Sequence, residues 1–154
     1  MKAAVNRRRE MLGLLAGSAL AAFTAKSGDA FADTDIPALI RSITGSAQLT
    51  EGRIRLTIPE LADTGFSVPV NIEVESPMMA NDFVKSIHII APRNPRPLIA
   101  SISLSPLMAR ASWNTRVRLG GSQEVVAIAM MSDGTYRAAR ANVVVSVSAC
   151  IDGT

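Results

Sequence analysis

The chain has 154 residues, a single cysteine (Cys150), a single histidine (His88) and a formal charge of +3. One cysteine excludes an intramolecular disulfide, and one cysteine with one histidine gives weak support for a zinc site, which needs three or four His, Cys or carboxylate ligands. The positive charge is local: Lys2, Arg7, Arg8, Arg9 and Lys26 precede residue 33, and residues 33–154 carry 11 basic and 11 acidic side chains, so no nucleic acid and no anionic membrane is expected as a partner.

Residues 1–32 read as an export signal. Arg7, Arg8 and Arg9 form a basic start, Leu12 to Phe23 an apolar run, and Ala30-Phe31-Ala32 a small-residue cleavage pattern before Asp33. Arg8-Arg9-Glu10-Met11-Leu12 fits a twin-arginine signal. The apolar run is short of the roughly 20 residues that a spanning helix needs. Cleavage near Ala32 and a periplasmic location are therefore expected, with no membrane span in the mature chain.

The mature chain opens with a predicted helix over Ile36 to Thr44. Ile36, Leu39, Ile40 and Ile43 recur at helical spacing, Pro37 suits a first turn, and Gly45 can end it. Thereafter the apolar period is two. Ile54, Leu56 and Ile58 alternate with Arg53, Arg55 and Thr57; Val68, Val70, Ile72 and Val74 follow the same rule. Val84, Ile87 and Ile89 mark a less regular third run. Ile102 and Leu104, then Trp113, Thr115, Val117 and Leu119, then Val126, Ile128 and Met130, then Val143, Val145 and Val147 complete seven. Breakers separate them, among them Pro92 to Pro97, Gly120-Gly121 and Asp133-Gly134. Alternation means one buried and one wet face. Seven short strands with turns between them predict an all-β fold, an immunoglobulin-like antiparallel β-sandwich with a short N-terminal helix. The sandwich is expected over 33–147 and an arm over 148–154.

Most chemistry-bearing residues have an ordinary explanation. His88 lies inside a strand run between Ile87 and Ile89 and reads as packed or on a sheet surface. Glu73 and Glu75, like Arg116 and Arg118, share a wet strand face. Met78-Met79 reads first as packing and second as an exposed contact. No phosphate loop is present, and no metal or cofactor is expected. Cys150 differs because of its place: the last strand runs into Ser148-Ala149-Cys150, and only Ile151, Asp152, Gly153 and Thr154 follow. Chain ends are usually exposed, so the thiol is expected to be accessible on a short arm made of Ser148, Ala149, Ile151, Asp152 and Gly153.

The layout resembles the SoxY family, the sulfur-carrier subunits of the periplasmic thiosulfate-oxidising Sox system. The resemblance rests on Ile36-Pro37 to Gly45, Glu51-Gly52-Arg53 to Pro59-Glu60, Val68-Pro69-Val70 and Glu75-Ser76-Pro77-Met78. It continues through Asn94-Pro95, Ser112 to Leu119, Met131-Ser132-Asp133-Gly134 and the terminal cysteine. It implies a non-enzymatic carrier that pairs with a SoxZ-like sandwich subunit. It also implies that Cys150 holds thiosulfate-derived sulfur covalently while separate sulfur-oxidising enzymes act on it. One departure stands out. The family ends in Gly-Gly-Cys-Gly-Gly, whereas Ala149 and Ile151 stiffen this terminus. Asp152 places a negative charge near the sulfur, which opposes a thiolate or an anionic adduct. Two other readings of the residues stand beside the carrier: a binding module whose terminal cysteine makes an intermolecular disulfide, and a thiol enzyme pairing Cys150 with His88.

Overall fold

Pro37 lacks an N–H and has a fixed φ, which suits the first turn of a helix. The computed structural model describes residues 35–149, so the signal segment lies outside the described residues. Helix α1 spans Ile36–Thr44, the limits the spacing predicts. The Asp35 carboxylate caps it by accepting from the Ala38 N–H at 3.0 Å. Gly45, at φ 64°, closes it with its N–H on the Arg41 carbonyl.

Nine strands follow among the described residues: β1 (Leu49–Glu51), β2 (Ile54–Thr57), β3 (Leu61–Thr64), β4 (Val68–Val74), β5 (Val84–Ile90), β6 (Leu98–Ser103), β7 (Ala111–Val117), β8 (Gln123–Met131) and β9 (Tyr136–Val147). They form two layers. One sheet has the order β1-β9-β8-β5-β6, with β3 also on β9; the other has the order β2-β4-β7. This is the predicted sandwich, with a difference at one edge: β1 and β3 both pair with β9 in parallel, while the other pairings are antiparallel.

The core lies between the layers. Val68, Val70, Ile72 and Val74 of the small sheet face Val84, Ile87, Ile89, Val125, Ala127, Ala129 and Met131 of the large one. The irregular spacing of Val84, Ile87 and Ile89 has a cause: the β5–β8 register slips between Val84 and Ser86, and this irregularity re-phases the strand. A second cluster lies on the opposite face of the large sheet, where Leu39, Ile40 and Ile43 of α1 cover Ile90, Val126, Ile128 and Tyr136. The Tyr136 hydroxyl donates to the Ile43 carbonyl at 3.1 Å. The residues predicted to face the core in β8, Val126, Ile128 and Met130, therefore point toward the helix side, and Val125, Ala127, Ala129 and Met131 fill the core. Both faces of β8 are covered, so apolar residues run on without alternating.

Candidate functional site

Cys150, with Ile151, Asp152 and Gly153, lies outside the described residues. What the structure defines is how the chain is held up to that point. β8 reaches β9 only as far as Gln123 opposite Val143. Beyond it, Val144 to Val147 continue with β3 on one side, Leu61 opposite Val144 and Thr64 opposite Val147. On the other side the Ser122 hydroxyl stands in for the missing strand: it accepts from the Val145 N–H at 2.9 Å and donates to the Val145 carbonyl at 3.5 Å.

A clasp of backbone groups follows. The Gly65 N–H donates to Val147 O at 2.8 Å, the Leu119 N–H to Gly65 O at 2.8 Å, and the Ala149 N–H to Leu119 O at 3.3 Å. The contact needs glycine. A Cβ on Gly65 would run into the Leu119 carbonyl oxygen and come within 2.9 Å of the Ala149 nitrogen. Ala149 is only 2% exposed. The arm expected from Ser148 onward is thus still attached to the body at its second residue: Ser148 is exposed, but Ala149 is seated.

The loop carrying Leu119 is itself locked from behind by two buried carboxamides. Asn94 Nδ2 donates to Arg118 O at 2.8 Å, and Asn94 Oδ1 accepts from the Gly120 N–H at 2.9 Å and from Gln123 Nε2 at 3.1 Å. Gln123 Nε2 also donates to Gly121 O, and Gln123 Oε1 accepts from the Arg93 N–H at 2.9 Å. Arg93 Nη1 donates to Ser122 O at 2.8 Å. Each buried polar atom here has a partner, which is what an interior site requires. The roles of Gly65, Leu119, Asn94 and Gln123 escape sequence reasoning. The breakers Asp63-Thr64-Gly65, Pro92 to Pro97 and Gly120-Gly121 mark turns without saying what those turns grip.

The other residues singled out from the sequence fall elsewhere. His88 sits half-buried on the helix side of the large sheet, its Nε2 3.0 Å from the Ser86 hydroxyl and its Nδ1 2.8 Å from that of Ser101. Burial holds its pKa below the usual imidazole value. Both ring nitrogens are hydrogen-bonded to neighbours within the sheet. Met78 is buried and Met79 exposed. Arg55 meets Glu73 at 4.0 Å. Arg116 is tied to Ser67 by two hydrogen bonds, and Arg118 lies 6.0 Å from the centre of the Phe66 ring. Among the described residues no three His, Cys, Asp or Glu side chains gather where a metal ion could be held, and no helix is long and apolar enough to cross a membrane.

Comparison with known proteins agrees with this layout. No functionally curated protein matches the sequence. Among solved structures the chain is similar to the sulfur carrier protein SoxY from Chlorobium limicola f thiosulfatophilum, at 26% identity and a TM-score of 0.61, over 73% of this chain and 96% of that one. It is also similar to a superoxide reductase (neelaredoxin) from Ignicoccus hospitalis, at 17% identity and a TM-score of 0.53, over 61% and 80% of the two chains. A superoxide reductase from Nanoarchaeum equitans matches at 12% identity and 0.51, over 63% and 99%. At those identities the superoxide reductases share the fold alone. The family model of the sulfur oxidation protein SoxY matches residues 40–150, from helix α1 through the terminal cysteine. The chain belongs to the SoxY family of sulfur oxidation proteins.

Proposed function

We propose that the protein is a sulfur carrier that holds its cargo on Cys150 and catalyses nothing by itself. The observation that carries this reading is the fastened root. The chain is gripped on both sides up to Ala149, and the next residue is its one cysteine. Covalent geometry then keeps the Cys150 Cα about 3.8 Å from that of Ala149. A thiol at the end of a rigid body, with four residues after it, can be presented to a partner's pocket without the body entering. Tethering raises the local concentration of the cargo at each enzyme visited.

The chemistry follows from the thiolate, the reactive form. A partner enzyme joins it to thiosulfate: the Cys150 sulfur bonds to the outer sulfur, two electrons pass to an acceptor on that enzyme, and a cysteine S-thiosulfonate results. Water then attacks the sulfonate sulfur, the S–S bond to it breaks, sulfate and two protons leave, and a persulfide stays on Cys150. Ile151 and Asp152 stand where the family has glycines, so this chain serves as a divergent carrier with its own partner enzymes or sulfur substrate. Export through the twin-arginine signal to the periplasm and pairing with a SoxZ-like sandwich belong to the same proposal.

The test is the intact mass of mature protein from cells supplied with thiosulfate, before and after reductant. A reducible adduct of thiosulfate or sulfane-sulfur size, absent from Cys150→Ser, is expected. A bare thiol or a plain disulfide-linked dimer under every sulfur source would overturn the carrier and favour the binding module.

A further inference from the structure

Among the described residues, β1, β2, β3, β6 and β7 lie at sheet edges. A bare edge is a template for pairing with another chain, and charged side chains are the common guard against it. Four of these edges have the guard: Glu51 in β1, Arg55 in β2, Asp63 in β3 and Arg116 in β7. β6 does not. Its sequence, Leu98-Ile99-Ala100-Ser101-Ile102-Ser103, has no Asp, Glu, Lys or Arg, and no other described strand lacks all four.

The direction of the free groups follows from the ladder. The Leu104 N–H donates to the Lys85 carbonyl at 2.9 Å, so it points toward β5. Backbone groups turn to alternate sides along a strand, which aims the N–H and C=O of Ser103 and Ser101 away from β5. The β5–β6 irregularity lies between Ile89 and Ile90, so Ala100 to Ser103 pair with β5 in regular register. Ala100 and Ile102 pack against the core. Ser101 lies opposite His88, and its hydroxyl is tied to His88 Nδ1 at 2.8 Å.

We propose that β6 pairs antiparallel with β6 of a second copy of this chain about a two-fold axis at Ser101, joining the two large sheets edge to edge. On that axis the two Ser101 residues exchange both outward N–H···O=C bonds, the pattern of a hydrogen-bonded antiparallel pair. Ala100 of each copy then lies opposite Ile102 of the other, on the core side of both sheets. Such a contact is isologous and closes at two copies. The charges favour a copy as the occupant: the strand meets itself without placing like charges opposite one another, and residues 33–154 carry 11 basic and 11 acidic side chains, so two mature chains approach without net repulsion.

The experiment is sedimentation equilibrium of the full mature chain over a range of concentrations, kept reduced so that Cys150 cannot link two copies. The mass is expected to rise with concentration toward twice that of the monomer. In Ser101→Lys two cations meet at the axis, and the dissociation constant is expected to rise by about fourfold or more, the weight of two unit charges about 5 Å apart in water. Salt should reduce that loss. Ser101→Ala is expected to stay within about twofold of the parent, because the outward backbone groups remain. Hydrogen exchange in the parent gives a readout that needs no variant: the Ser101 and Ser103 amides should gain protection as concentration rises. A monomer at every concentration overturns the proposal, as does a dimer that survives unchanged in Ser101→Lys or leaves both amides unprotected. Protection that arises only on adding a different sandwich subunit also overturns it and gives the edge to that partner. None of these measurements involves thiosulfate or an adduct, so the carrier reading stands or falls separately.

Discussion

At the arm end of the sandwich the chain is held chiefly by groups without charge: the carbonyls and amides of Gly65, Leu119 and Ala149, backed by the buried carboxamides of Asn94 and Gln123. At the far end, where the β4–β5 loop meets the β1–β2 turn, charge and local strain take over. Arg53, at φ 60°, donates to the Glu75 carbonyl and pairs with Asp82 at 3.2 Å; Met78, at φ 52°, is held by the Ser76 hydroxyl. Met79 and Leu107 lie open to solvent there. Positive φ at non-glycine residues persists only where the surroundings enforce it, and here an ion pair, a backbone carbonyl and a serine hydroxyl do so. The difference teaches what each end can tolerate. Neutral hydrogen bonds in a dry site respond little to salt or pH, so the root keeps its place whatever charge the chain end carries. The far end is tuned by the medium.

Four changes would break or sharpen this contrast. The largest effect is expected from Gly65→Val, which forces a side chain into the clasp. Overpacking of this kind costs about 2–3 kcal/mol, seen as a drop of roughly 10 °C in melting temperature, with faster hydrogen exchange at the Ala149 amide. A normal melting temperature and a protected Ala149 amide would show that the clasp has slack. Asn94→Leu comes next. It strands the Gly120 N–H and the Arg118 carbonyl, at a cost of about 2 kcal/mol, and the loss in denaturant titrations should be the same in low and high salt. A strong salt dependence would contradict the neutral character of this end. Asp82→Asn should cost less, about 0.5 kcal/mol, because both partners of the ion pair are more than a third exposed. That difference should vanish at high salt.

The smallest effect is a pH dependence at neither end. Burial lowers the pKa of His88 in the folded chain, so the unfolded chain takes up its proton first as pH falls. The folded state is therefore at full strength above the unfolded value near 6.5 and weakens as pH drops through 6.5 toward the lowered folded value. His88→Gln should flatten that slope in denaturation curves between pH 7.5 and 5. A slope that survives in the variant would assign it to another group.

Much of this architecture is legible in the residues. Pro37 and Gly45 bracket α1, and the strict alternation of Val68 to Val74 marks a strand with one wet face. What escapes does so for physical reasons. β1 and β3 have three and four residues, too few to show a period. The first half of β9, Tyr136 to Asn142, carries two arginines and three alanines, and alanine leaves the apolar period too faint to read. Resemblance to the SoxY family points to Cys150 as the working residue, but the clasp cannot be read at all. It is made of backbone groups from residues 65, 119 and 149, which only the folded chain brings together. The expected start of the arm at Ser148 misses the seat of Ala149 for that reason.

β9 has a consequence for synthesis. It lies between β8 on one side and β1 with β3 on the other, yet among the described strands it comes last in the chain. A chain that stops short of it leaves β8 with an unpaired edge and β1 and β3 with no sheet to join, and exposed edges of that kind favour aggregation and clearance over folding. Truncated products therefore do not accumulate as well-folded decoys lacking the thiol. A folded body is therefore one whose translation has already come within a few residues of Cys150.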